Sequence, residues 1–201
     1  MKLTETLSSE HRVIEQAILA LEAAADLIDG GGQVRPGFIQ DACGFIAGFA
    51  DGYHHAKEER VLFEAMARHG MSTESGPIAM MLYEHDEGRR LTAGLRDAAQ
   101  RLAAGDASAS GVVADYARAY GELLRQHIFK EDNILFPMAA RVIAPSAWEA
   151  IEREAGRVEA EQAGGDSKTQ YVHLARALCE EMGVDPAAAR GRPVDLPCHT
   201  R

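Results

Sequence analysis

The chain is predicted to be all-α: an up-down-up-down four-helix bundle followed by one or two extra C-terminal helices and a loose tail. Three observations lead there. Four long segments carry apolar residues at steps of three and four; glycine, proline and small polar residues break the chain between them; and no alternating run is long enough for a sheet. Linkers of under about ten residues force neighbouring helices to be antiparallel.

The first segment runs from about Leu3 to Ile28, with Leu3, Leu7, Ile14, Ile18, Leu21, Ala25 and Ile28 on one stripe. The member missing between Leu7 and Ile14 is His11, which places a histidine in a buried seam. Gly30 to Gly37 breaks that helix, and a second follows from about Phe38 to His69, carrying Phe45, Phe49, His54, Glu58, Val61 and Ala65 on its stripe. Gly70 to Pro77 is the next breaker. The third segment, Ile78 to Ala104, turns Ile78, Leu82, His85, Leu95 and Leu102 inward, with Arg89 and Arg90 as interruptions. The fourth, Val112 to Val142, buries Val113, Tyr120, Leu124, His127, Glu131 and Met138, and Pro137 should disturb its hydrogen bonding. Ser146 and Ser167 are candidate caps for a fifth helix to Gln162 and a sixth to Met182. These two are expected to pack on the bundle or to form a homodimer contact. From Gly183 onward, Pro186, Pro193 and Pro197 with few apolar residues suggest a loose tail.

With 201 residues the chain can bury one substantial core. A net charge of −10, from 31 acidic against 21 basic residues, argues against nucleic acid and anionic membrane surfaces as partners. The opening MKLTETLSSEHRVIE contains no apolar leader and no run approaches a membrane span, so the expected location is cytoplasmic. Cys43, Cys179 and Cys198 are far apart and odd in number, which suits neither a disulfide framework nor a thiolate metal site.

The functional signal is an internal repeat. YHHAKEERVLFEAM superposes without a gap on QHIFKEDNILFPMA, so that His54 falls on His127, Glu58 on Glu131 and Glu59 on Asp132. Histidine and glutamate four apart share a helix face. Each pair has an upstream Glu-His dipeptide: His11 precedes His54 by 43 residues and His85 precedes His127 by 42. Each half is thus a helical hairpin offering two histidines and a glutamate, and antiparallel packing brings His11, His54, Glu58, His85, His127 and Glu131 to one level. His55 aligns with Ile128, which cannot ligate, and is read as a neighbour of the site. Glu59 and Asp132 either orient ligand imidazoles or belong to a solvated face. Glu15 has Arg89 as its counterpart and is read as a surface acid. Tyr53, Tyr116 and Tyr120 could line a channel, though packing accounts for them equally well. His69, His173 and His199 fall outside the pattern, and Met80, Met81 and Met138 are read as core filler.

Burying two carboxylates and four imidazoles in an apolar core is costly unless a cation neutralises them. Imidazole and carboxylate without thiolate suit iron, manganese or zinc. Six donors are too many for one tetrahedral zinc, but serve two ions if each carboxylate bridges. There is no His-Glu-x-x-His, so a zincin protease is excluded.

Glu10-His11, His54-His55-Ala56-Lys57-Glu58-Glu59, Glu84-His85 with Gly88-Arg89, and His127 to Asp132 followed by Leu135-Phe136-Pro137 together resemble the hemerythrin-like proteins of the His-His-Glu cation-binding branch. The likeness covers roughly residues 1–145, leaving 146–182 as a helical appendage and 183–201 as the tail. It implies a non-haem diiron centre, oxo- or hydroxo-bridged, with manganese or zinc as substitutes. In that reading His11, His54, His85 and His127 are terminal ligands and Glu58 and Glu131 bridge. Oxygen-carrying members have a further histidine one turn from the third-helix ligand, whereas Met81 and Arg89 flank His85 here. The site is therefore expected to be poorer in nitrogen and suited to reaction with peroxide, dioxygen or nitric oxide, with catalase-like peroxide removal favoured. A sensor of iron or oxygen without turnover is the alternative.

Overall fold

A computed structural model describes residues 3–35, 37–162 and 168–189. Its helices are α1 (Leu3–Asp29), α2 (Phe38–Phe45, carried on by π-helical stretches Ile46–His55 and Glu58–Phe63 and by Glu64–Arg68), α3 (Gly76–Ala103), α4 (Ala109–Lys130, carried on by π-helical Glu131–Leu135 and by Phe136–Val142), α5 (Trp148–Gln162) and α6 (Lys168–Glu181). No strand occurs among the described residues. The first four helices form the expected antiparallel bundle, with α4 packed extensively on both α1 and α3.

The stripe that the sequence marks on α1 is the face that is buried, His11 included. Helix ends follow local chemistry. After α2 and α3 the chain turns through left-handed Gly70 (φ 96°) and Gly105 (φ 95°). The next amides, of Met71 and Asp106, return to the carbonyls of Met66 and Arg101 and close the ends. Ser75, in extended conformation, precedes α3, and Pro77 sits in its first turn, where a missing N–H costs nothing.

The core is two apolar clusters rather than one. The upper contains Ile14, Ile18 and Leu21 of α1, Phe45, Phe49 and Tyr53 of α2, Leu91 and Leu95 of α3, and Val113, Tyr120 and Leu124 of α4. The lower contains Leu3, Leu7, Val61, Leu62, Met66, Ile78, Met81, Leu135 and Phe136. Between Leu7 and Ile14, Tyr53 and Val61, Met81 and Leu91, and Leu124 and Leu135, every helix passes through one level that carries the histidines and glutamates.

The appended helices pack on the bundle of their own chain, one per cluster. Trp148, Ile151, Ala155 and Val158 of α5 cover the lower, and Ala175, Leu178 and Cys179 of α6 cover the upper. The Cys179 thiol also donates to the Gln16 carbonyl at 3.2 Å. The stretch expected as a loose tail starts out docked: beyond left-handed Gly183, the Val184 amide returns to the Cys179 carbonyl at 3.0 Å, Val184 packs on the upper cluster, and a short turn, Pro186–Ala189, buries Ala189. A helix-terminating hydrogen bond and two small apolar contacts suffice there, which a count of apolar residues does not register. Ser167 and residues 190–201 lie outside the described residues.

Two single-residue expectations change. Met80 is half exposed rather than core filler, and Glu15 is buried rather than at the surface, paired at 3.0 Å with Arg12. Burial pushes the Glu15 carboxyl above its ordinary range despite that guanidinium. Among the described residues no single helix is long and apolar enough to cross a membrane.

Truncating Leu21, fully buried in the upper cluster, should lower unfolding stability by about 2–5 kcal/mol. Met80→Ala should change it by less than about 1 kcal/mol. Urea unfolding followed by circular dichroism checks both; equal losses would contradict the assigned core.

Candidate metal centre

The π-helical stretches explain how the donors reach one level. Glu58 opens Glu58–Phe63 and its repeat partner Glu131 opens Glu131–Leu135, so the backbone irregularity is duplicated along with the sequence. Pro137 removes an amide just beyond the second stretch, yet its counterpart Glu64 has one, so proline alone does not cause the wide turns. A π turn adds a residue and narrows the angular step between side chains below the ~100° of an α-helix. At the end of the π stretch Ile46–His55, both His54 and His55 are buried as a result.

The structure brings the six expected donors together and adds a seventh. His11, His54, Glu58 and Glu131 form one group whose candidate ligand atoms lie within 4.8 Å of one another, and His55, Glu58, His85 and His127 form a second. Glu58 is common to both. Within the first group His11 Nε2 is 3.2 Å from Glu131 Oε2 and His54 Nε2 is 3.3 Å from Glu58 Oε1. In the second, His85 Nε2 lies 3.5 Å from Glu58 Oε2 and 3.1 Å from His127 Nε2, which in turn is 3.2 Å from Glu131 Oε2. The His55 ring stacks on His85, with centroids 3.8 Å apart and planes 17° from parallel.

Each of these imidazoles is held from behind. A carboxylate only accepts, so the ring nitrogen facing it carries the proton and the other nitrogen presents a lone pair. His54 Nδ1 donates to Glu10 (3.0 Å), His127 to Glu84 (3.0 Å), His11 to Asp132 (2.9 Å), His85 to Glu59 (2.7 Å) and His55 to Asp51 (3.0 Å). The repeat pairs Glu10 with Glu84 and Asp132 with Glu59, so the outer carboxylates are duplicated as well. The second pair crosses between hairpins: the acid after the α4 glutamate serves α1, and the acid after the α2 glutamate serves α3. Phe136 likewise stacks on His11 at 5.5 Å and Phe63 on His85 at 5.9 Å. Cations finish the arrangement. Lys57 and Lys130 pair with Glu10 and Glu84, while Arg12 and Arg89 pair with Asp132 and Glu59.

The electrostatics among the donors themselves run against metal-ready protonation. Burial pulls His54 down, but Glu58 and Glu10 outweigh it and carry it up to about 10; His127 is carried to about 9 against the same burial by Glu131 and Glu84. Burial and the neighbouring His55 and His127 push His85 well below its ordinary value. The His85–His127 contact sets an imidazole held neutral against one held protonated, and a cation must displace protons from His54 and His127 to bind.

The residues fit such a cation. His11 Nε2, His54 Nε2 and all four oxygens of Glu58 and Glu131 are buried without a hydrogen-bond partner, an arrangement that costs on the order of 1–3 kcal/mol per group unless something coordinates them. Nitrogen and oxygen donors without thiolate suit iron, manganese or zinc. His55 is the residue that sequence reasoning left out. Its alignment with Ile128 argued against it, and the signal that could have found it was the His-His dipeptide beside a second i,i+4 acid, Glu59. It adds a fifth imidazole to the candidate donors, where the sequence alone suggests four. Tyr53 and Tyr120 are buried beside the level and Tyr116 packs against Gly94, but none belongs to a donor group. His69 donates to the Ala65 carbonyl at 2.8 Å, His173 sits exposed on α6, and His199 lies outside the described residues.

The chain is 25% identical to uncharacterized proteins of Mycobacterium bovis and of two Mycobacterium tuberculosis strains over 140 residues, 70% of this chain and 54% of each relative. It thus spans about half the length of those relatives. No solved structure matches it. The hemerythrin HHE cation-binding domain, in contrast, matches residues 2–139, a stretch that contains every histidine and glutamate of the two donor groups. By its sequence, its helical bundle and its buried cation-binding cluster, this chain belongs to the hemerythrin HHE family.

Proposed function

We propose that the chain holds a non-haem diiron centre and uses it to react with small oxidants, catalase-like removal of hydrogen peroxide being the favoured activity. The observation that carries this reading is the pair of four-donor groups joined through Glu58. His11, His54, Glu58 and Glu131 would hold one ion, and His55, Glu58, His85 and His127 the other. Manganese or zinc would use the same donors. Four protein donors leave room on a six-coordinate ion for solvent and one small exogenous molecule, and the bound pair would supply Lewis-acid and redox chemistry there. Conversion of two peroxide molecules to dioxygen and two waters needs no external electron donor.

The chain's own residues prepare that chemistry. The five outer carboxylates fix tautomer and orientation of the imidazoles. Phe63 and Phe136 lie flat on His85 and His11 and keep water from those faces. Glu10 is fully buried, whereas Asp132 and Glu59 are 21% and 28% exposed, so the outer carboxylates behind His11 and His85 are the ones that water reaches. We place the protein in the cytoplasm, where the buried free thiols of Cys43 and Cys179 stay reduced. Its expected partner is peroxide, dioxygen or nitric oxide, not nucleic acid or membrane.

One observation favours a second reading, an iron or oxygen sensor without turnover: the donors come from all four bundle helices, so metal affinity is folding energy.

Three measurements test these readings. Iron-loaded protein should evolve oxygen from peroxide and His127→Ala should lose nearly all of it; a wild-type rate no higher than that of free iron would end the catalase reading. Metal analysis of His55→Ala should give one tightly held iron in place of two, and unchanged stoichiometry would take His55 out of the donor set. For the sensor reading, iron-loaded protein should melt well above the metal-free form, and identical midpoints count against it.

A further inference from the structure

The family match ends at residue 139, yet the shell behind His54 is completed by residues beyond it. Glu10 accepts from His54 through Oε2 and gives Oε1 to two ammonium groups, Lys57 Nζ at 2.5 Å and Lys168 Nζ at 3.0 Å. Lys168 is the first residue of α6. Lys57 faces, in addition, Glu159 Oε2 of α5 at 3.5 Å. The Tyr53 ring lies under both ammonium groups, 3.9 Å from Lys57 and 5.8 Å from Lys168. Two positive and two negative side chains therefore close on one another, and each appended helix contributes one of the four.

The repeat shows what these helices add. Glu84, the counterpart of Glu10, pairs with Lys130, which is 27% exposed where Lys57 is 1% exposed. Burial of an ion pair is tolerated only when its remaining valences are met, and Glu159 and Lys168 meet them on the His54 side. A second contact ties α6 to the same place. A Cβ on Gly48 would stand 2.0 Å from the Tyr171 hydroxyl, so a glycine is needed to admit that ring. Gly48 lies in the π-helical stretch that ends in His54 and His55.

We propose that α5 and α6 form a latch on the metal centre. Glu159 and Lys168 hold Glu10, and through it the His54 ring, so that metal occupancy and docking of the appended helices favour each other. This rests on the metal reading above. The coupling is reciprocal: a bound metal that fixes His54 fixes Glu10, and whatever lifts α6 loosens the metal. Lys168 and Glu159 are positioning residues, since they act through Glu10 and touch no donor atom.

The test uses the full chain and iron(II). Amide hydrogen exchange across α6 should slow when iron is bound. Iron release to an excess of chelator should be about tenfold faster in Lys168→Met, the lower end of the range for outer-shell changes. It should be accelerated in Glu159→Gln as well, and largely restored in Lys168→Arg, which keeps the charge. Arg157→Ala, on the exposed face of α5, should leave release unchanged. Equal α6 exchange in the iron-bound and iron-free protein, or wild-type release from Lys168→Met, overturns the latch and leaves the metal reading standing. A wild-type chain that takes up no iron by metal analysis sinks both, and is told apart by that measurement.

Discussion

Five imidazoles and two carboxylates occupy the centre of this bundle, and the rest of the architecture is arranged around that burial. An apolar core gains by contiguity, yet here it is cut into two clusters by a polar level. Such a level is tolerable only if every charge on it is answered. The inner nitrogens of His11 and His54 and all four oxygens of Glu58 and Glu131 remain without hydrogen-bond partners, while the outer ring nitrogens are all engaged. A polar layer satisfied on its outside and unsatisfied at its middle is the electrostatic form of a cation site.

The two hairpins build this level by exchange. Each contributes a histidine whose orienting acid comes from the other, so neither hairpin can orient all of its donors alone. Metal affinity then depends on the closed bundle, and bundle closure on the metal. The crossing of Asp132 to α1 and of Glu59 to α3 also ties the helices at the one level where apolar packing cannot.

Much of this was legible in the sequence because repeated chemistry leaves a period. His11 filled a gap in an otherwise regular stripe, and the aligned His-x-x-x-Glu pairs marked one face on two helices. The apolar steps located all six helices to within a few residues. What escaped were features that depend on backbone detail. His55 stands next to His54, and on a regular helix the two rings would diverge; the π turns bring both inward, and no side-chain period announces a π turn. Glu15 was misplaced because its burial depends on Arg12, a neighbour that a pattern of apolar residues ignores. Docking of the first residues after α6 rests on a backbone turn and two small side chains, too little for composition to show.

The symmetry of the repeat also makes its exceptions informative. His55 has no counterpart in α4, and Lys57 is covered by α5 and α6 where Lys130 is not. Filled as proposed, one ion would have three imidazoles and Glu58, the other two imidazoles and both carboxylates. The anionic donors stabilise a higher charge on the second ion, while the neutral ones leave the first more electron-poor and readier to accept a ligand. The carboxylate-rich ion would also be the one on His54, the ring behind which the appended helices pack. Inequality of donors and inequality of the shell behind them thus arise from two departures from symmetry, a π turn in α2 and the contacts of α5 and α6 with Lys57 and Glu10. A duplicated bundle without them would present two equivalent sets of donors.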